Sequence, residues 1–128
     1  MASGVTPRTR IESYEDLEVW QLAMDLAEMT YALAKEFPRD EVFGLTAQMK
    51  RAAVSIPSNI AEGFGRDGIA SFVHFLRIAL GSARELETQL LLAARLELVP
   101  LDAVARPRDT TIRASKMLRA LVRRLAGC

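Results

Sequence analysis

Cysteine, histidine and aromatic residues are scarce in this 128-residue chain. It has one cysteine, Cys128, one histidine, His74, and an aromatic content of 6%. A lone cysteine excludes an intramolecular disulfide and is typical of a reducing compartment. A di-iron centre in a helical bundle needs inward glutamates and Glu-x-x-His pairs, but the residue three positions before His74 is Ser71. We therefore expect neither a metal site nor a cofactor.

Long apolar runs are also missing. The longest, Leu90–Ala94, is far shorter than the roughly 20 residues that span a bilayer. The first ten residues lack the apolar stretch of a signal peptide. These absences predict a cytoplasmic protein that does not enter a membrane.

No combination of side chains typical of an active site is present. Glu85 and Glu87 are two positions apart on a predicted helix and therefore point in different directions. The glycine-rich turn Gly63–Gly65 follows a helix and lacks the lysine of a P-loop, which favours a helix C-cap over a phosphate site. Cys128 and the serines have no general base beside them. We therefore expect no catalytic residue.

Apolar residues recur every three or four positions from Tyr14 onward, which is the period of an amphipathic helix. Prolines and glycines separate four such segments: Tyr14–Phe37, Asp40–Phe64, Ile69–Glu97 and Thr110–Leu125, with a short turn near Leu101–Val104. Half of the residues are hydrophobic and 26% are charged, as in an ordinary globular domain. We predict a flexible tail over residues 1–13 and, over residues 14–128, one all-α domain that forms an antiparallel up-and-down four-helix bundle.

Pro57 lies inside the apolar pattern of the second helix. Proline removes a backbone donor and clashes with the preceding turn. Because the periodicity resumes after it, the pattern favours a helix kinked at Pro57, near Ser55, over a broken one. Polar residues surround the proline: Gln48, Ser55, Ser58 and Asn59. They either satisfy carbonyls that the kink leaves unpaired or contact a ligand or partner.

Two small residues, Gly81 and Ser82, stand in the middle of the third helix. Glycine there costs about 1 kcal/mol relative to alanine. Close approach of a neighbouring helix is the usual compensation, and we expect it here.

The net charge is only +1, but the charges are unevenly distributed. Lys35 and Arg39 are the only bases between Glu12 and Glu41, whereas the last 28 residues contain seven bases and two acids. On the fourth helix the bases fall opposite the apolar stripe: Arg113, Lys116, Arg119 and Arg123, with Arg124 at the margin. This face is a solvated surface, a phosphate-binding surface or a contact with the acidic helix of another subunit.

Three segments, Asp16–Trp20, Gln48–Arg66 and Gly81–Leu90, resemble the bacterial four helix bundle protein family. This family is also called the S23 or large-subunit-rRNA intervening-sequence protein family. The resemblance spans about Tyr14 to Leu125 and is most specific over Arg51–Gly63. We expect the residues of this family motif to be structural: Arg51, Ser55, Pro57, Ser58, Asn59, Glu62 and Gly63.

The resemblance implies an up-down bundle that assembles into a homopentamer. A more distant likeness, to the accessory protein of diversity-generating retroelements, implies a basic surface that contacts nucleic acid and a reverse transcriptase. The chain departs from the family pattern at Gly68 and Ser71, where Ser and an acid are common, so that Asp67 or Gly68 is expected to cap the third helix. It also has Glu97 where Gly is common, which predicts a longer third helix.

Together these observations predict a non-enzymatic, oligomeric accessory protein that binds RNA or DNA through basic surface helices. The candidate binding residues are Arg113, Lys116, Arg119, Arg123 and Arg124, with Lys50, Arg51 and Arg66 as lesser candidates. The alternative is a protein–protein interaction scaffold with no nucleic-acid role. Salt-dependent binding of nucleic acid distinguishes the two.

Overall fold

The computed structural model describes residues 11–41 and 43–127 and, within these ranges, contains four α-helices and no strand. The helices are α1 (Glu18–Ala34), α2 (Leu45–Phe64), α3 (Ile69–Arg95) and α4 (Leu101–Ala126), and short 3-10 turns at Tyr14–Asp16 and Arg39–Glu41 precede α1 and α2. The all-α prediction is confirmed. The antiparallel order of the bundle and the kink at Pro57 remain predictions.

The chain enters α1 through a capped 3-10 turn. Ser13 is its N-cap and accepts a hydrogen bond from the Glu15 N–H, while the Asp16 carboxylate accepts from the backbone of Ser13. Leu17 is then extended, and for this reason α1 begins at Glu18 and not at Tyr14. Most of the tail predicted over residues 1–13 lies outside the described residues, although Ser13 belongs to this cap.

The fourth helix begins nine residues earlier than predicted, at Leu101 rather than Thr110. Pro107 lies inside it, where proline normally interrupts a helix. Both Pro107 and Val104 are buried, so that packing against the core outweighs the lost backbone hydrogen bond. The hydroxyl of Thr111 donates to the Pro107 carbonyl at 2.7 Å, which gives that carbonyl a side-chain partner.

The end of α3 corrects a second prediction. The helix ends at Arg95, and Glu97 adopts the left-handed conformation with φ 60°. The N–H of Leu98 donates to the carbonyl of Ala93, and the N–H of Glu97 donates to that of Ala94, as in a Schellman motif. Because this turn brings Val99 into the core, Glu97 does not lengthen the helix.

Replacing Glu97 by glycine is expected to stabilise the protein by about 0.5–1 kcal/mol. A left-handed residue with a Cβ is strained by roughly 1–2 kcal/mol, and the greater freedom of glycine in the unfolded chain offsets part of the gain. Urea unfolding measures the change. Arg95→Gly, in the last turn of α3, provides the control and should lose about 1 kcal/mol. Equal changes in the free energy of unfolding for the two substitutions would contradict the inference that Glu97 is strained.

Each helix packs on two neighbours. α1 and α3 both lie against α2 and α4, so that α2 and α4 occupy diagonal corners of the bundle. Side chains from all four helices fill the core, and the largest fully buried ones include Leu26, Met49, Ile56, Ile60, Leu76, Leu86, Leu90 and Leu118. The diagonal placement matters for function because it separates the surfaces of α2 and α4.

The glycines between α2 and α3 have different roles. Gly63 is buried inside α2, and a Cβ there would lie 2.7 Å from the Cβ of Phe75. Gly65 is the C-cap, and Gly68, with φ 89°, is the N-cap of α3 and offers no side chain for capping. The C-cap interpretation is therefore right for Gly65 and wrong for Gly63, which permits close approach of the two helices.

Gly81 does not mark a close approach, contrary to prediction. It is exposed, and apart from its chain neighbours and the backbone of its own helix no atom lies within 4 Å of where its Cβ would be. The neighbouring residue, Ser82, is the one that faces another helix. Ser82 is therefore the small residue that packing requires.

Gly81→Ala is accordingly expected to raise the free energy of unfolding by about 0.8–1 kcal/mol, the difference in helix propensity between the two residues. Chemical unfolding of the variant beside the wild type measures it. A loss of stability would mean that another surface covers this position in the folded protein, and light scattering on the same samples would then show a changed mass.

Candidate nucleic-acid interface and family motif

The outer face of α4 carries a concentration of positive charge, here called the basic face. Its residues are Arg113, Lys116, Arg119, Arg123 and Arg124. All are exposed, and among the described residues none of them has an ion-pair partner. From the first to the last they span about 16 Å of helix, a length of duplex axis that carries about nine phosphate charges. The α4 part of the predicted site is thus a continuous exposed surface.

The helix dipole explains only part of this face. Arg123 and Arg124 lie in the last turn of α4, where cations are favoured by the negative end of the helix. Arg113 and Lys116 are too far from that end, because the effect is confined to the last turn. Their exposure without a partner leaves them available for an external anion.

Of the three lesser candidates, Lys50 and Arg51 lie on α2, diagonally across the bundle from the basic face, and Arg66 follows the end of that helix. Lys50 places its ammonium 5.0 Å from the centre of the Tyr31 ring. Arg66 pairs with Glu62 at 2.7 Å. Arg51 is exposed. Within one chain the structure therefore does not bring these residues together with α4.

A polar bridge joins α2 to α3 at the centre of the family motif. The amide of Asn59 donates to both the carbonyl and the hydroxyl of Ser55, at 2.8 and 2.9 Å. The Ser55 hydroxyl shares a hydrogen bond with the Ser82 hydroxyl at 2.7 Å. This bridge supports the structural interpretation of the polar residues near Pro57. No pattern in the sequence indicates that Ser82 is the partner.

Three of the other motif residues also have structural contacts. Pro57 is buried, Gly63 lies against Phe75, and Glu62 pairs with Arg66 one turn later. Ser58 is exposed. Most of the motif thus holds α2 in place.

A small cavity of about 260 Å³ lies beside the polar bridge. Its polar lining comes from both helices: Gln48, Arg51 and Ser55 of α2, and Ser82 and Glu85 of α3. Arg51 and Glu85 form no ion pair among the described residues. A ligand in this cavity would contact Arg51 and Ser55 of the motif, which is the alternative to a purely structural role.

A larger groove of about 630 Å³ lies between the start of α1 and the end of α4. We call it the α1–α4 groove, and it is lined by Ile11, Asp16, Leu17, Glu18, Val19, Met117, Ala120, Leu121 and Arg124. It contains one member of the basic face, Arg124. No pattern in the sequence indicates this groove, because its walls come from opposite ends of the chain.

Over residues 11–41 and 43–127, no three His, Cys, Asp or Glu side chains are grouped so that they could hold a metal ion. His74 is exposed, and its ring lies edge-on to that of Phe75, with 5.2 Å between the centroids. Cys128 lies outside the described residues. None of the helices in the described ranges combines the length and the apolar character needed to cross a membrane.

Comparison with solved structures identifies a similar fold in a protein of unknown function from Bacteroides thetaiotaomicron, of the S23 ribosomal protein family. The two chains are 26% identical and superimpose with a TM-score of 0.76. The match covers 81% of this chain and 97% of the other. No protein with curated function matches the chain.

The family model described as 23S rRNA-intervening sequence protein matches residues 15–120. This range begins at the 3-10 turn before α1 and extends into the last turns of α4. It includes the motif on α2, the serine partner on α3 and three of the five residues of the basic face. The chain therefore belongs to the 23S rRNA-intervening sequence protein family.

Proposed function

We propose that this protein is a non-enzymatic, cytoplasmic accessory protein that binds structured RNA through the basic face of α4. The observation that carries the proposal is the exposure of five basic side chains without ion-pair partners among the described residues, along one stretch of helix. Clustered Arg and Lys release condensed counterions from a phosphate backbone regardless of sequence. The family's description links its members to the intervening sequences of ribosomal RNA, which favours RNA over DNA.

Phosphates, and not stacked bases, are the proposed source of affinity on this face. Aromatic side chains on which bases stack are the usual partners of basic grooves that bind single strands. The segment from Arg113 to Arg124 contains none. Binding through this face is therefore expected to depend strongly on salt and weakly on sequence.

The proposal includes self-association, with the pentamer that the family resemblance implies. Met24 and Tyr31 of α1 and Val54 of α2 are large apolar side chains with 38–44% of their surface exposed. Their helices are neighbours, and exposed apolar patches often mark interaction sites. An oligomer repeats the basic face in each subunit, which raises avidity without a new type of contact. A protein partner, such as a reverse transcriptase, is part of the same proposal.

A protein–protein interaction scaffold is the second candidate function. It is favoured by further exposed apolar residues on α3, where Ile78 and Leu92 are 39% and 43% exposed. In that case the basic face serves subunit or partner contacts, and the acidic outer side of α1 is its natural complement. The two candidates make opposite predictions for nucleic-acid binding.

The test is a titration of the assembled protein against a labelled RNA hairpin and a DNA duplex at several salt concentrations, with the mass checked by light scattering. If each of the five bases contacts one phosphate, the logarithm of the binding constant should fall with that of the salt concentration with a slope of about −4 to −5 per subunit. A correctly assembled protein that binds neither nucleic acid at low salt would contradict the proposal and leave the scaffold.

A further inference from the structure

The α1–α4 groove combines an apolar floor with charged rims. Leu17, Val19, Met117 and Leu121 form the floor, and Val19 is buried. Glu18 and Asp16 lie on the α1 side, and Arg124 lies on the α4 side. Its volume of about 630 Å³ falls within the range of about 300–1,000 Å³ that is usual for small-molecule sites.

The two acids differ in what they already bind. Asp16 is occupied, because one of its carboxylate oxygens accepts the N–H groups of Glu12 and Ser13 at 3.0 and 3.1 Å. Glu18 is exposed and has neither a hydrogen bond nor an ion pair among the described residues. Glu18 and Arg124 line the same groove without pairing with each other. A carboxylate and a guanidinium are thus available to a ligand that carries both N–H donors and an anionic group.

The groove is continuous with the basic face. Arg113 precedes Met117 by one helical turn on α4, and Arg124 itself lies in the groove wall. An RNA strand held along this face by its phosphates therefore passes the mouth of the groove. A nucleobase is the part of such a strand that suits an apolar cleft, because single-stranded loops present unstacked bases that can be turned outward.

We propose that the α1–α4 groove binds an unstacked guanine base of the RNA, an inference that rests on the proposed function. Leu17, Met117 and Leu121 cover the faces of the base. The two carboxylate oxygens of Glu18 accept hydrogen bonds from N1–H and from the exocyclic N2–H of guanine. Arg124 binds the phosphate next to that base. The groove thereby adds base selectivity to a surface that otherwise recognises phosphates alone.

The preference for guanine follows from the geometry of donors on the bases. A carboxylate accepts two parallel hydrogen bonds, and it does so from two adjacent donors. On its Watson–Crick edge guanine has N1–H beside N2–H, whereas adenine and cytosine have a single amino group beside an acceptor. Uracil has one N–H between two carbonyls, which would repel the carboxylate. Inosine, which is guanosine without the 2-amino group, removes one of the two bonds.

The experiment uses three labelled RNA hairpins with identical stems and loop lengths, whose loops contain guanosine, inosine or uridine at the same positions. Binding is measured by fluorescence anisotropy at one low salt concentration with the wild type and the variants Glu18→Gln, Glu28→Gln and Ala120→Leu. Glu28 is an exposed acid of α1 outside the groove, so its variant removes the same charge. Ala120→Leu fills the groove with a residue that favours helices.

The wild type is expected to bind the guanosine loop on the order of tenfold more tightly than the inosine or uridine loops, as is usual for a bidentate contact to a base. Glu28→Gln should keep this preference. Glu18→Gln and Ala120→Leu should lose it while still binding in a salt-dependent manner. Equal binding of the three loops by the wild type, or a preference that survives Glu18→Gln, would overturn the inference and leave phosphate binding intact. Failure of every hairpin to bind would contradict the proposed function itself.

Discussion

Replacing four bases of the basic face by glutamine is expected to weaken RNA binding by about three orders of magnitude near 0.1 M salt, and to reduce the salt slope by about 3.6. The variant carries Arg113→Gln, Lys116→Gln, Arg119→Gln and Arg123→Gln. The physical reason is that each lost phosphate contact removes about 0.9 from the slope. Glutamine has a helix propensity close to those of Arg and Lys, so that α4 should stay folded. Anisotropy titrations across salt concentrations measure both quantities.

A matched control variant tests whether RNA binding depends on the position of the charges or only on their number. Lys35→Gln, Arg39→Gln, Arg84→Gln and Arg95→Gln also remove four exposed positive charges, but from α3 and from the segment that follows α1. This variant should retain most of the affinity, because its charges are not on α4. Equal losses in the two variants would show that net charge, and not the basic face, governs binding. Circular dichroism and light scattering confirm that both variants are folded and assembled.

The exposure of the basic residues on α4 follows from the sequence because helical periodicity relates neighbouring residues directly. Arg113 and Lys116 fall opposite Leu118 whenever the segment is a helix, and the structure has the first two exposed and the leucine fully buried. The relation of this face to Lys50 and Arg66 could not be obtained in the same way. It depends on which helices are neighbours, and that is decided by tertiary packing.

Helix ends were the least predictable part of the fold, because burial outweighed local preferences. A proline such as Pro107 normally interrupts a helix. The side chains of Pro107 and Val104 are nevertheless both buried, and α4 continues through them. Glu97, where Gly is common in the family, predicts a longer α3. The helix nevertheless ends before it, because Glu97 adopts the left-handed conformation in the turn that brings Val99 into the core. At both positions the local preference of the residue was overcome by the burial of side chains against residues far away in the sequence.

The α1–α4 groove likewise could not be predicted from the sequence. Leu17 and Leu121 line one cavity although they come from opposite ends of the chain. Neither residue, nor Glu18, belongs to a motif with a spacing typical of a binding site. The family motif, in contrast, was prominent in the sequence, and much of it maintains contacts between helices, such as the hydrogen bond between Ser55 and Ser82. The most specific sequence motif therefore has a mainly structural role, whereas no sequence motif marks the candidate base site.

Gly63→Ala should produce the largest loss of stability among the glycine substitutions, about 2–3 kcal/mol, the upper part of the range for overpacked cores. The new Cβ would lie 2.7 Å from the Cβ of Phe75 and 3.1 Å from the Cδ1 of Phe72. A Cβ atom moves only with its backbone, so that rotation of the Phe75 ring cannot relieve the first contact. The helices α2 and α3 must separate, which weakens the interface around them.

Gly81→Ala is the matched control because it makes the same chemical change in another helix interior. Both substitutions gain about 1 kcal/mol of helix propensity, but only the one at Gly63 meets a neighbour. Because both variants share the propensity gain, the difference between their free energies of unfolding isolates the steric term. We expect it to be about 3–4 kcal/mol, which is the net loss of about 2–3 kcal/mol at Gly63 added to the gain of about 1 kcal/mol at Gly81. If urea unfolding gave the two variants equal stability, α2 and α3 would not be held at their present distance by packing at Gly63. The conclusion that this motif glycine serves close approach would then be wrong.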